Sequence, residues 1–339
     1  MLAGLSRPLV IPSPPLAERP VLVTGAAGFV GARVVELLSQ QGRGPVLATD
    51  VTTSSKTEAL GTLPGVEFRA MDLRDGDQIA AAVRSADAVV HLAALRLRAS
   101  DAQPRDGFAV NVSATFDLLA AVAEHGVRAF VYGSSQQLYG SFSEEPSAPM
   151  REEDGAVGRD VSMYAAAKLA CEAFLPPFAR KGGFHYLALR FGSIYGPDAA
   201  EHSNSWMMLE ALRAVDRGER ARVAWSEDSR HSLVHVDDAA RAVVRAIDLP
   251  LRDVAVNVVS GPTTTGEIYS TLLRLYGADP AAVEFTPDRR RYQLVDNERL
   301  KTQFGCPPET SLETGLQSIV DWHRATSSQG LGEHARTHR

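Results

Sequence analysis

The segment Val23-Thr24-Gly25-Ala26-Ala27-Gly28-Phe29-Val30-Gly31 constrains this chain most. It follows the apolar run Val21-Leu22-Val23 and leads into an amphipathic stretch from about Phe29 to Gln41. The pattern predicts a strand, a glycine turn and a helix. Such a helix N-terminus offers free N–H groups and partial positive charge. The GxxGxxG spacing lets the backbone turn tightly and approach a pyrophosphate, a variant of the dinucleotide fingerprint. Asp50 ends the next apolar run, Val46-Leu47-Ala48, about 25 residues after Gly25. A carboxylate there accepts both ribose hydroxyls and repels a 2′-phosphate, which favours NAD over NADP. The alternative is a plain glycine turn with Asp50 as a helix cap. Asp72, in Met71-Asp72-Leu73, is placed either to reach the adenine amine or to cap the next helix.

Further short apolar runs follow at Val66–Phe68, Ala88–Leu92, Ala129–Tyr132 and Tyr186–Leu189, with longer amphipathic segments between them. Strands buried on both faces and separated by helices predict a doubly wound parallel α/β sheet. After Tyr195 the alternation loosens into helices near 205–217 and 265–276 and strands near Val223 and Val283. The expected organisation is a proline-rich arm over 1–19, a Rossmann domain over 20–195 and a smaller lobe over 196–325. Segments at about 233–262 should return to the main sheet, and a polar, frayed tail should occupy 326–339. Pro176-Pro177 predicts an end or a kink in the helix that carries Tyr164.

The chain has 339 residues and a net charge of −6. No global basic field therefore favours nucleic acid or an anionic membrane. No run of about 20 uninterrupted apolar residues argues for a membrane span, and the prolines of the arm interrupt any signal-peptide core. The two cysteines, Cys171 and Cys306, rule out a disulfide scaffold and fit a reducing cytoplasm. No His/Asp/Glu cluster shows metal-ligand spacing.

Tyr164-Ala165-Ala166-Ala167-Lys168 places Tyr and Lys on one helix face. A free phenol titrates near pH 10. A nearby ammonium and a positive nicotinamide should both lower that value and make Tyr164 a base for a substrate hydroxyl. The other reading is a surface pair. Lys168 is one of four lysines in a chain rich in arginine, and an arginine fork would not substitute for its compact ammonium. Ser134 and Ser135 end the fifth strand, where such sheets bind ligands, and one hydroxyl there could bond the reacting oxygen.

Together these residues resemble the extended short-chain dehydrogenase/reductase family, the nucleotide-sugar epimerases and dehydratases, over roughly residues 20–325. The resemblance rests on an ordered set: TGAAGFVG, Asp50, MDL at 71–73, HLAA at 91–94, Asn111, SSQQLYG at 134–140, YAAAK, RFGSIYGP at 190–197 and VHVDDAA at 234–240. It implies a Rossmann domain with a substrate lobe, bound NAD and a homodimer formed through a helix bundle. By position, Tyr164 is implied as the base, Lys168 as its pKa partner and ribose contact, and Ser135 as the substrate-oxygen partner. Gly25, Ala27, Gly28, Phe29, Val30, Gly31, Asp50, Asp72, Leu73, Ala93, Ala94 and Asn111 are implied at the cofactor.

The departures bear on substrate. The family's dehydratases place Asp-Glu after the Ser/Thr; here Gln136 and Gln137 stand there. Carboxamides orient but do not titrate, which disfavours elimination by that route. Ser193 replaces an Asn that contacts the diphosphate. His231 stands where the family carries a clamp arginine, with Arg230 one residue off. The run Arg289-Arg290-Arg291 lies where the resemblance implies another phosphate-binding arginine, with Arg289 the candidate; the other reading is a solvated charge cluster. His235 is implied as structural, with Asp237-Asp238 capping the next helix. Two readings lead: epimerisation of a nucleotide sugar, at C4, or net NAD-dependent oxidation or reduction of a sugar acid or similar substrate. Behind them stand a 4,6-dehydratase or decarboxylase and a non-catalytic NAD-binding relative, against which the intact Ser–Tyr–Lys set counts.

Overall fold

The computed structural model describes residues 19–154, 161–197 and 204–334. The proline-rich arm and residues 335–339 lie outside them, Arg19 excepted. The first half runs β1 Val21–Thr24, α1 Phe29–Gln40, β2 Val46–Asp50, α2 Ser55–Gly61, β3 Val66–Ala70, α3 Gly76–Ser85 and β4 Ala88–His91. Then come α4 Leu97–Ala102, α5 Pro104–Phe108, a π-turn at Ala109–Ser113, α6 Ala114–Glu124, β5 Ala129–Ser135, α7 Met163–Gly182, β6 His185–Phe191 and β7 Ser193–Tyr195. The remainder is α8 Asn204–Asp216, β8 Ala221–Val223, β9 Arg230–His235, α9 Val236–Ala246, β10 Val254–Val258, β11 Gly261–Thr264, α10 Thr265–Tyr276, β12 Val283–Phe285, α11 Glu298–Thr302 and α12 Leu312–His334.

Seven strands form one parallel sheet in the order β3-β2-β1-β4-β5-β6-β10. The order reverses direction between β1 and β4, and such sheets bind ligands beyond the strand ends at that crevice. The period of two explains the layering. Val21 and Val23 of β1 join an apolar cluster with α1 and α9, whereas Leu22 points to the opposite cluster with α3, α6 and α7. A third cluster, from α8, α10 and α12, is the core of the smaller lobe.

Several expectations are corrected. Val234 belongs to β9, which pairs with β7 and β11 in a separate three-stranded sheet rather than with the main sheet. The chain returns afterwards, with α9 packed on α1 and β10 at the sheet edge beside β6. Helix α7 does not end at Pro176-Pro177 but continues to Gly182, where Gly183 stops it in the left-handed conformation. Burial of Leu175 and Ala179 on either side of the prolines outweighs the lost backbone bonds. The tail is helical through His334, because Ile319, Val320 and Trp322 anchor α12 in the lobe core and the polar residues extend it. Asp237-Asp238 does not cap α9. The His235 ring caps it by accepting from the Asp237 amide, freeing Asp237 for Arg33 at 2.5 Å and Asp238 for the Glu309 and Thr310 amides.

The stretch Pro104–Glu124 is long and apolar enough by composition to cross a membrane, with 44% of its window buried. In the fold its α6 portion packs on α3 and α7.

Two buried histidines tie stability to pH. His91 bridges Thr24 at 2.7 Å and Thr115 at 2.9 Å, and burial, helped by Lys168, lowers its pKa to about 3. Burial, with Arg291 nearby, lowers His231 to about 4. Below pH 6.5 the unfolded chain takes up protons that the native state refuses, so stability falls as pH falls. The expected loss is about 1.4 kcal/mol per histidine per pH unit until each native pKa is reached. Thermal unfolding between pH 6.5 and 4 checks this, and His91→Gln should flatten the slope. A flat wild-type profile would contradict the assignment.

Candidate active site

The C-terminal ends of β1, β2, β4 and β5 carry Thr24, Asp50, His91 and Ser135 to one rim. The glycine loop closes over that rim. Gly25 has φ +72°, and a Cβ there would stand 2.6 Å from the Ala93 amide nitrogen. A Cβ on Gly31 would stand 2.0 Å from the Gly25 carbonyl oxygen. Only glycine permits these approaches. Helix α1 starts at Gly28 with no side-chain cap, so its first N–H groups face outward for an anion. Asp50 does not cap a helix. Its carboxylate accepts from the Ala27 amide at 3.0 Å and the Thr52 amide at 3.1 Å, while Ser54 caps α2. The Asp50 oxygens thus lie beside the cradle, and an uncapped helix start, bare glycines and an adjacent carboxylate fit a dinucleotide.

Other predicted cofactor residues fall around this loop. Ala93 hydrogen-bonds Thr24 at 3.4 Å. Phe29 reaches toward Gly196, where an added Cβ would meet its ring at 3.3 Å. Asp72 pairs with Arg74 at 2.6 Å, which holds its carboxyl below the usual range, and Asp75 rather than Asp72 caps α3. Leu73 buries its side chain in the core. Asn111 spends its amide on the Leu95 backbone, at 2.7 and 2.9 Å, and on Ser100, so it shapes the loop after Ala94.

Helix α7 starts at Ser162, whose hydroxyl caps Ala165, and brings Tyr164 and Lys168 against β5. Ser135 acts on the Tyr164 hydroxyl, favouring its ionised form. Lys168 is 3% exposed; its Nζ donates to the Gly133 carbonyl at 2.6 Å and lies 5.5 Å from the Tyr164 ring centroid. The expected lowering of the phenol is not a property of the polypeptide alone. Burial pushes Tyr164 up to about 12, with Ser135 acting in the opposite direction. Burial also brings Lys168 down to about 8, opposed by Cys171 and Glu172. A cation committed to a carbonyl does not offset the phenolate's lost hydration.

The remaining predicted residues divide. Ser135 caps the turn Gln136–Tyr139 by accepting from the Gln137 amide at 3.2 Å. Ser134 donates to Glu172 at 2.5 Å and faces away from Ser135, as neighbours on a strand must. Gln136 donates to Ser193 at 3.1 Å, and Gln137 accepts from Gln293 at 3.2 Å. Arg230 pairs with Glu145 at 2.9 Å. His231 bonds Thr265 at 2.9 Å and stays neutral at pH 7. Arg289 lies over Trp225 at 4.4 Å, and Arg291 lies over the same ring at 5.2 Å. Arg291 Nε is buried with no hydrogen-bond partner among the described residues. Sequence reading named the arginine run 289–291 but missed Trp225 and Gln293, because β8, β9 and the segment after β12 meet only in the folded lobe. It also missed Glu172, although Glu172 stands one turn after Lys168 on the same helix.

A glycine cradle for a dinucleotide beside a Ser–Tyr–Lys cluster defines an NAD-dependent enzyme of the Rossmann class. The chain belongs to the NAD dependent epimerase/dehydratase family, whose family model matches residues 21–259. It is 30% identical over 315 residues to a UDP-glucose 4-epimerase of Mycolicibacterium smegmatis, covering 90% of this chain and 99% of that protein. It is 27% identical to a dTDP-glucose 4,6-dehydratase of the same species, covering 91% and 94%. Among solved structures it resembles the UDP-glucose 4-epimerase of Thermotoga maritima with UDP-glucose (TM-score 0.80, 28% identity, 91% and 99% covered). It also resembles the UDP-glucose 4-epimerase of Thermus thermophilus with NAD (TM-score 0.75, 28% identity, 90% and 99% covered).

Proposed function

We propose that this enzyme epimerises a nucleotide sugar, at C4, through a transient ketone. One observation carries the reading. Tyr164, Ser135 and Lys168 are assembled, while the two positions after Ser135 hold the carboxamides of Gln136 and Gln137. Tyr164 takes the proton of the substrate hydroxyl, and Ser135 hydrogen-bonds the same oxygen as it becomes a carbonyl. NAD, when bound, supplies reversible hydride acceptance at the carbon and a positive charge that lowers the phenol. Tyr164 then returns its proton once the ketone has presented its other face. Gln136 and Gln137 can hold hydroxyls but cannot shuttle the protons that loss of water requires. Gly25, Gly28 and Gly31 would hold the pyrophosphate, Asp50 the adenosine ribose and Lys168 the nicotinamide ribose. Arg289 and Arg291 around Trp225 suit a nucleoside diphosphate, since arginines grip phosphate and an aromatic ring stacks on a base.

Net oxidation of a substrate without a diphosphate is the second reading. Its support is the neutral His231 and the Arg230–Glu145 pair, which leave the family's clamp position without a free cation. The test is thermal stabilisation by UDP-, GDP- and dTDP-sugars and free sugar acids with NAD present, followed by NMR of the products. Ligands that bind the native state raise Tm. An isomeric sugar nucleotide without net NADH supports epimerisation. A product oxidised one-for-one with NAD would establish the second reading instead.

Asp50→Ala is expected to weaken NAD and narrow the gap to NADP, because the variant loses both a ribose acceptor and the bond that tethers Ala27. Titration with each cofactor checks it; a wild type that prefers NADP would overturn the assignment. We also place the enzyme in the cytoplasm, since Cys171 and Cys306 are free thiols. We further propose a homodimer through α6 and α7. Phe116 is 44% exposed and packs edge-on against Phe174 and Phe178, with Met163 and Leu169 exposed nearby. Light scattering should give the mass of two chains.

A further inference from the structure

We propose that Glu172 is a positioning residue that sets both the charge state of Lys168 and the placement of the β5 end bearing Ser135. The proposal rests on the reading of Tyr164 and Lys168 as the active pair.

Glu172 lies one turn after Lys168 on α7 and is nearly buried. Its Oε1 accepts from Ser134 at 2.5 Å, and both its oxygens accept from Arg190 of β6, at 2.7 to 3.2 Å. Ser134 stands between the two β5 residues that touch the active pair. Gly133 accepts the Lys168 ammonium, and Ser135 acts on the Tyr164 hydroxyl. One carboxylate therefore ties the end of β5 to the helix that carries Tyr164 and Lys168. Arg190 is itself anchored, donating to the Tyr139 hydroxyl at 2.7 Å and the Glu152 carbonyl at 3.0 Å. The clamp is thus tied to the loop beyond Gly140 and cannot swing freely.

The charges around it have a clear sense. Lys168 faces Tyr132 and Gly133 of β5, His91 of β4 and Tyr164, Cys171 and Glu172 of its own helix. His91 is neutral, and burial keeps the Tyr132 and Cys171 protons in place at pH 7. Glu172 is the one carboxylate among the described groups that act on Lys168, and it favours the ammonium. On its other sides Glu172 faces Arg190 and, more weakly, Tyr186. Loss of its charge would leave Arg190 unopposed as well, which further disfavours protonated Lys168.

The test uses the full-length holoenzyme. With 13C-labelled lysine, NMR can follow all four lysines, and the signal missing in Lys168→Met assigns the one of interest. Glu172→Gln should lower the Lys168 pKa by about one unit and move the alkaline limb of kcat down with it. Ser134→Ala should leave that titration unchanged yet reduce kcat by roughly tenfold with little change in KM, since a slight misplacement is costly. Glu172→Asp, which keeps the charge but withdraws it, should restore the titration and not the turnover. It serves as the charge probe should Glu172→Gln fail to fold. An unchanged Lys168 titration in Glu172→Gln, or a shifted one in Glu172→Asp, would overturn the proposal. So would wild-type kcat in Ser134→Ala. If no sugar nucleotide is turned over, the function assigned above fails, while the NMR titration still decides the role of Glu172.

Discussion

Tyr164→Phe is expected to lower turnover by at least about a hundredfold while leaving NAD affinity within about threefold, since positioned proton transfer contributes 10²–10⁴. The variant keeps the ring against α7 and β5 and deletes only the hydroxyl on which Ser135 acts. Lys168 stays on the Gly133 carbonyl, and the glycine cradle is untouched. The same residue makes a spectroscopic expectation. Burial alone holds the phenol at about 12, so phenolate absorbance should appear at lower pH once NAD brings its positive charge. Steady-state kinetics, equilibrium dialysis and ultraviolet titration check the three parts. Unaltered turnover would remove Tyr164 from the chemistry.

Gly31→Ala should weaken cofactor binding more than tenfold. The added carbon would stand 2.0 Å from the Gly25 carbonyl oxygen and 3.0 Å from the Ala26 Cα, so only a backbone shift relieves it. That shift opens the turn whose amides would meet the pyrophosphate. Overpacking of this kind costs about 1–3 kcal/mol, so the variant should fold with a lower Tm and lose NAD more than tenfold. Gly76→Ala is the control. Its added carbon has nothing within 4 Å, and its backbone needs no positive φ. Wild-type NAD affinity in Gly31→Ala would show that the loop does not hold the cofactor.

The Rossmann half was legible because each of its signals is local. Val21-Leu22-Val23, the three glycines and Asp50 state a strand, a turn and an acidic strand end within thirty residues or so, and Tyr164 and Lys168 share a helix face. The misreadings arise where tertiary packing overrides a local rule. Pro176-Pro177 breaks helices in isolation, but Leu175 and Ala179 are buried on either side. Val234 reads as a core strand, yet β9 pairs with β7 and β11 because the chain leaves the main sheet at Gly192. The polar tail follows the apolar anchor of α12 into helix. Asp72 reads as a cap, but Asp75 holds that place and Arg74 claims Asp72. The substrate side was least legible. Trp225 and Arg291 come from separate lobe segments, and no sequence spacing announces their meeting. Of the two charges expected to lower the phenol, sequence shows that the Lys168 cation is near, but not that it is hydrogen-bonded to Gly133.

The most direct test follows one hydrogen. A nucleotide sugar that stabilises the protein is prepared with deuterium at the reacting carbon and incubated with the NAD-loaded enzyme. Retention of the label on the same carbon of the isomeric product, with no NADH released, is the outcome expected if hydride leaves and returns within one closed site. Loss of the label to solvent, or its transfer into free NADH, would contradict the account.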